Sequence, residues 1–239
     1  MIVFDIDETL YLRSDLYLKT YREFFGGRLG LDEQLLGLRN RVRKKKMFQK
    51  CADGVISMEE MLILRTTLTY RDLGVELSPE TALAFEKLYE KNQDKIELIP
   101  AYRDLLESLH KRRYPVGILT NGPSDRQRGK MKAMGLWKYF REKNVLASGD
   151  IGIIKPDPDI FRAFEKKTGL SPDQLWMVGD SYESDIAGAS DAGWHTVWIN
   201  RKGEKPAGTG AAADFEGTAD EEVCAFLESL TGDGPLSHL

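Results

Sequence analysis

The sequence predicts an α/β fold: a doubly wound, Rossmann-like parallel sheet with an all-helical cap domain inserted after its first strand. Three observations point there. Short apolar, β-prone runs occur at the start of the chain and again beyond residue 114. Helical patterns alternate with the later runs, and the long stretch between holds helical patterns with almost no strand signal. Continuous apolar runs suit strands covered on both faces. Alternation of strand and helix suits parallel strands joined by crossovers.

The first run, IVFD at 2–5, leads straight into acids. Residues 14–98 then read as a helical block of about four helices. Within it Ser57 and Glu60 fit a capping box, and Gly74 fits the matching stop. Ser78 followed by Pro79 is another helix start. Helical spacing resumes from Ala101 to Arg112, with Leu105, Leu106 and Leu109 on one face, and leads into the strand PVGILT at 115–120. NVLAS at 144–148 is the next strand. A helix begins at Asp157 and stops at Gly169, with Ile160, Phe161 and Phe164 on one side. LWMVG at 175–179 is a strand, a helix runs from near Glu183 to Gly193, and TVWI at 196–199 is a strand. A Gly/Ala-rich linker at 206–213 precedes a short strand at Asp214–Phe215 and a helix near 219–230. The expected division is a discontinuous core of 1–13 and 99–232, a helical cap of 14–98, and a tail of 233–239 that frays.

Composition narrows the classes. A net charge of -4 over 239 residues gives no general reason for nucleic-acid or membrane binding. Cys51 and Cys224 stand in no metal-ligand spacing and read as reduced thiols. The start lacks the pattern of a signal peptide, and no run is long enough to span a bilayer, so a cytoplasmic protein is expected.

In an open parallel sheet, ligands bind beyond the carboxyl ends of the strands. The residues that end each run are therefore the informative ones: Asp5 and Asp7, Thr120 and Asn121, then Asp180, with Asp185 five residues on. Lys155 follows the 144–148 strand in IIKPDPDIF. Carboxylates brought together stay ionised where a cation sits between them, and oxygen ligands suit Mg²⁺. A cation and Lys155 would neutralise a phosphoryl group, while the Thr120 hydroxyl and backbone N–H groups hold its oxygens. One aspartate can attack phosphorus, and a second can protonate the leaving oxygen and later activate water.

DIDETL at 5–10, ILTNG at 118–122, Lys155 in KPDPDIF and GDSYESD at 179–185 resemble, in order, the four motifs of the haloacid dehalogenase (HAD) superfamily. The resemblance covers roughly residues 1–12 and 99–200. It implies that Asp5 is the nucleophile and a Mg²⁺ ligand. Asp7 would be the general acid/base, its backbone carbonyl a further ligand. Thr120 and the backbone N–H of Asn121 would bind the phosphoryl oxygens. Lys155 would steady the nucleophile, Asp180 would complete the protein ligands of the metal, and Asp185 would position Lys155 or a metal-bound water. The helical insertion resembles the family's type 1 cap, which excludes water from the site. Glu8 stands where many members have Gly or Asp.

Members that cleave carbon–halogen bonds lack the second aspartate, because halide leaves without a proton. Asp7 therefore favours a Mg²⁺-dependent phosphatase, similar to the nucleotidase-like branch, acting on a small phosphate ester such as a nucleoside monophosphate or sugar phosphate. A phosphomutase and a non-catalytic binding protein on the same scaffold are the alternatives.

Other features carry milder expectations. RNRVRKKKMFQK at 39–50 holds seven basic residues and no acids, and reads first as a solvated helix face, second as a surface for a polyanionic substrate. His110, His195 and His238 form no catalytic or zinc pattern. Trp176, Trp194 and Trp198 read as packing. Tyr17, Tyr21, Phe24 and Phe25 follow helical spacing as core of the insertion, whereas Tyr11 and Arg13 stand where they could meet substrate.

Overall fold

The computed structural model describes residues 1–205 and 212–232. The tail expected at 233–239 and residues 206–211 of the expected linker lie outside the described residues. The chain divides into two units, Met1–Leu12 with Glu97–Leu239, and Arg13–Ile96.

The first unit holds a six-stranded sheet in the order β3-β2-β1-β4-β5-β6. Its strands are β1 (Ile2–Phe4), β2 (Val116–Thr120), β3 (Val145–Ala147), β4 (Trp176–Gly179), β5 (His195–Ile199) and β6 (Phe215–Gly217), and every pairing is parallel. The apolar start of the chain becomes the middle of the sheet: Ile2 is in register with Val116 on one side and Trp176 on the other. Strand order reverses at β1, the kind of position where open α/β sheets bind ligands. The last strand lies at 215–217 rather than 214–215. Asp214 instead accepts from the backbone N–H of Thr196 at 2.8 Å.

The second unit comprises α1 (Arg13–Phe25), α2 (Glu33–Ala52), α3 (Met58–Arg71) and α4 (Pro79–Asn92). Ser57 and Glu60 form the expected reciprocal cap on α3, and the Ser78 hydroxyl caps α4 beside Pro79. Tyr17, Tyr21 and Phe25 are buried with Tyr70 and Phe85, while Phe24 is half-buried. Glu86, a buried acid there, is satisfied by the Arg65 guanidinium and the Thr66 hydroxyl. The basic run lies in α2, where Arg43 pairs with Asp72 and Arg39, Arg41, Lys46 and Lys50 are exposed.

Flanking the sheet are α5 (Pro100–Lys111), α6 (Ser124–Ala133), α7 (Pro158–Thr168), α8 (Gly188–Asp191) and α9 (Asp220–Ser229). β1 alternates between the two faces, as strand geometry demands. Val3 packs with Ile160, Phe161 and Phe164 of α7, whereas Phe4 meets Tyr102 of α5 edge-on at 6.2 Å. Two elements differ from expectation. The helix expected near 183–193 is a π-helical turn over Tyr182–Ala187 followed by the short α8. α6 has no counterpart in the sequence reading, because SDRQRGKMKA offers too few apolar residues for a helical stripe. Among the described residues no helix is long and apolar enough to cross a membrane.

Candidate active site

The sheet delivers its polar residues to one edge. Asp5 follows β1, and its backbone N–H continues the ladder to the Val178 carbonyl at 2.9 Å. Thr120 is the last residue of β2, and Asp180 follows β4 directly. Lys155 comes from the loop before α7, and Asp185 from the π-helical turn, a distortion that frequently accompanies functional sites.

Lys155 joins these elements. It is 3% exposed, and its ammonium donates to Asp5 Oδ1 at 2.9 Å, Asp185 Oδ1 at 2.7 Å and the Leu119 carbonyl at 2.7 Å. Three N–H donors thus meet three acceptors. Burial works against the charge, but the Asp185 and Asp5 carboxylates outweigh it and hold the lysine above its ordinary value. The loop that carries Lys155 is clipped to the β2 loop by the Asn121 side chain. Its amide donates to the Lys155 carbonyl at 2.9 Å and accepts from the Lys155 N–H at 2.8 Å.

Asp5, Asp180 and Asp185 can bring one carboxylate oxygen each within 4.8 Å of one another. Burial pushes the Asp180 carboxyl up to about 7, helped by the neighbouring charges of Asp185 and Asp5. Burial also raises Asp185, against the pull of Lys155. One ammonium therefore leaves the three acids short of positive charge. A donor set made only of carboxylate oxygens fits a hard divalent ion such as Mg²⁺. Asp185 belongs to this cluster as well as to the Lys155 ion pair. Trp198, beyond its packing, donates its indole N–H to the Asp180 carbonyl at 3.0 Å.

The Thr120 hydroxyl is a buried polar group left without a partner: the residue is 1% exposed, and its Oγ1 has no hydrogen-bond partner among the described residues. A buried hydroxyl without a partner is costly, and a phosphoryl oxygen is the kind of acceptor that would satisfy it.

The Asp7 carboxylate is held by a separate set of donors. Lys130 Nζ lies 2.6 Å from both carboxylate oxygens, and the Gln127 amide donates to Oδ2 at 3.1 Å. The Tyr11 hydroxyl donates to Oδ1. Tyr11, placed by the sequence where it could meet substrate, is buried, and its hydroxyl is engaged with Asp7. Gln127 and Lys130 are the functional candidates the sequence reading missed. They lie one turn apart on α6, so the spacing was a usable signal once that helix and its place beside β1 were known. The turn after β1 has its own support: Arg201, paired with Asp220, donates to the Glu8 and Thr9 carbonyls. Glu8 sits at φ +62°, a left-handed conformation in which glycine is unstrained.

Comparison with known proteins follows the same lines. The family model for haloacid dehalogenase-like hydrolases matches residues 1–193. A phosphoserine phosphatase of Thermus thermophilus is 35% identical over 138 residues, 58% of this chain and 54% of that protein. A glyceraldehyde 3-phosphate phosphatase of Methanopyrus kandleri is 26% identical over 238 residues, 97% of this chain and 98% of that protein. The L-2-haloacid dehalogenase structure from Xanthobacter autotrophicus superposes with a TM-score of 0.66 at 17% identity, over 95% of this chain and 98% of that one. The fold is thus common to two chemistries, and the choice between them rests on side chains.

Proposed function

The chain belongs to the haloacid dehalogenase-like hydrolases, and on that footing we propose that it is a Mg²⁺-dependent phosphomonoester hydrolase working through an aspartyl-phosphate. The observation that carries this reading is Asp7, a second carboxylate two residues beyond Asp5 with its own donors. A halide needs no proton when it leaves, so a dehalogenase has no use for such a group.

In this reading Asp5 attacks phosphorus. The bond from its carboxylate oxygen forms as the ester P–O bond breaks, and Asp7 delivers a proton to the departing oxygen. Asp7 then takes a proton from water, whose oxygen attacks phosphorus and displaces Asp5, releasing inorganic phosphate. Lys155 holds the Asp5 oxygen and offsets phosphoryl charge. The Thr120 hydroxyl and the Asn121 backbone N–H receive phosphoryl oxygens. Asp5, Asp180 and the Asp7 carbonyl would hold Mg²⁺, with Asp185 beside them, and the ion would offset the crowded negative charge of carboxylates and phosphate.

The substrate is a small phosphorylated metabolite, in keeping with the phosphoserine and glyceraldehyde 3-phosphate named for the relatives. A nucleoside monophosphate and a sugar phosphate are within the same class. The helical unit, inserted between β1 and β2 in the chain, is the candidate for choosing among them. Release of phosphate from 4-nitrophenyl phosphate with and without Mg²⁺ is the test. Asp5→Asn is expected to abolish it in a folded protein, and full activity in that variant would sink the mechanism.

A further inference from the structure

α6 is a polar helix that sends two of its polar side chains inward. Lys130 is 8% exposed and Gln127 3%. Burying a lysine and an amide has a cost that stability alone does not demand, since buried ion pairs are weak contributors to folding. Both side chains converge on Asp7. Lys130 spans the two carboxylate oxygens at 2.6 Å each. Gln127 bridges Asp7 Oδ2 at 3.1 Å and the Asn121 carbonyl at 2.8 Å, tying the acid to the β2 loop. The backbone makes room for this bridge. Gly122 adopts φ +142°, and a β-carbon on it would lie 2.4 Å from the Gln127 amide nitrogen.

We propose that Lys130 and Gln127 are positioning residues for the acid/base carboxylate of Asp7, aiming it at the leaving oxygen and meeting the charge it gains on losing its proton. This rests on the phosphatase reading above. The four donor contacts from Tyr11, Gln127 and Lys130 occupy the lone pairs a carboxylate presents. The leaving oxygen must take the place of one of them. A cation bridging both oxygens keeps the carboxylate plane fixed during that exchange. As the proton passes to the leaving oxygen, negative charge develops on Asp7 against an ammonium already in place.

Leaving-group dependence separates this role from a structural one. An alkoxide needs the proton as it leaves, whereas 4-nitrophenolate scarcely does. The experiment compares kcat/KM, which reports the step that breaks the ester bond, for glycerol 2-phosphate and 4-nitrophenyl phosphate in the Mg²⁺-loaded protein. Lys130→Met is expected to cost about 10–100-fold on the alkyl ester, about tenfold more than on the aryl ester. Lys130→Arg, which keeps the charge, is expected to recover part of the alkyl loss. Gln127→Leu is expected to show the same preference at a few-fold, and it carries the test if Lys130→Met does not fold. In the Lys130→Met background, adding Asp7→Asn is expected to cost little more on the alkyl ester, because both changes disable one group. Equal losses on the two esters, or losses that multiply in the double variant, overturn the positioning role and leave the phosphatase reading intact. A wild-type protein that hydrolyses neither ester overturns both.

Discussion

Gly179 and Asp185 approach so closely that a β-carbon on the glycine would lie 2.2 Å from the Asp185 Oδ2. The last residue of β4 is therefore a socket for the carboxylate that pairs with Lys155. Gly179→Ala is expected to displace Asp185, lower kcat/KM by at least about 100-fold and destabilise the fold by about 1–3 kcal/mol. Steady-state kinetics and urea unfolding measure both. An unperturbed enzyme would show that the acid does not need its place.

Lys155→Met removes the ammonium from between Asp5 and Asp185. Two buried acids and the Leu119 carbonyl then lose their common donor. Loss of one partner from a buried charge cluster costs about 3–5 kcal/mol. The loss is expected to be larger at pH 8 than at pH 5, because the Asp185 carboxyl, raised to about 6 by burial, takes up a proton as pH falls and relieves the repulsion. Denaturant midpoints at the two pH values measure it.

The raised Asp180 carboxyl makes the metal-free protein pH-sensitive. Its folded value is about 7, against about 4 for an unfolded aspartate. Between those values the folded chain keeps a proton that the unfolded chain has released. The contribution of this group to stability thus declines as pH rises through that window, and the loss is complete above the folded value. Mg²⁺ is expected to raise the unfolding temperature at pH 8 and to have little effect near pH 5, where protons compete for the same oxygens. Asp180→Asn is expected to stabilise the metal-free protein at pH 8 and to abolish the Mg²⁺ response. Thermal scans with and without the ion give the answer.

Glu8 bears a left-handed backbone strain that glycine escapes. Glu8→Gly is expected to gain about 1 kcal/mol, less whatever glycine adds to the entropy of the unfolded chain. Arg201→Ala acts in the opposite direction, because it strips donors from the Glu8 and Thr9 carbonyls and isolates Asp220. A loss of about 1–3 kcal/mol is expected. Chemical denaturation of the two variants measures each.

The strands were legible because buried parallel strands must be apolar throughout, and IVF, VGILT and WMVG have few competing readings. The ends of those strands were legible for the same reason, since acids after such runs stand out. α6 was not legible. Its residues carry charge nearly all round, and two of the three that turn inward beside Met131 are a glutamine and a lysine, types that ordinarily face water. Burial was what distinguished them, and burial is a property of the neighbours rather than of the residue. The Asn121 side chain was not legible either: the sequence pointed to its backbone N–H, and its amide fastens a loop 34 positions away.

The central place of β1 also has a consequence in time. The strand made first is flanked by partners that begin at residues 116 and 176, so it cannot be enclosed until most of the chain has been synthesised. α1–α4, whose unit closes within Arg13–Ile96, can condense well before that on the ribosome. The nascent protein must therefore carry an unpaired, wholly apolar strand while translation continues, and the acids that will do its chemistry meet only after β4 has emerged.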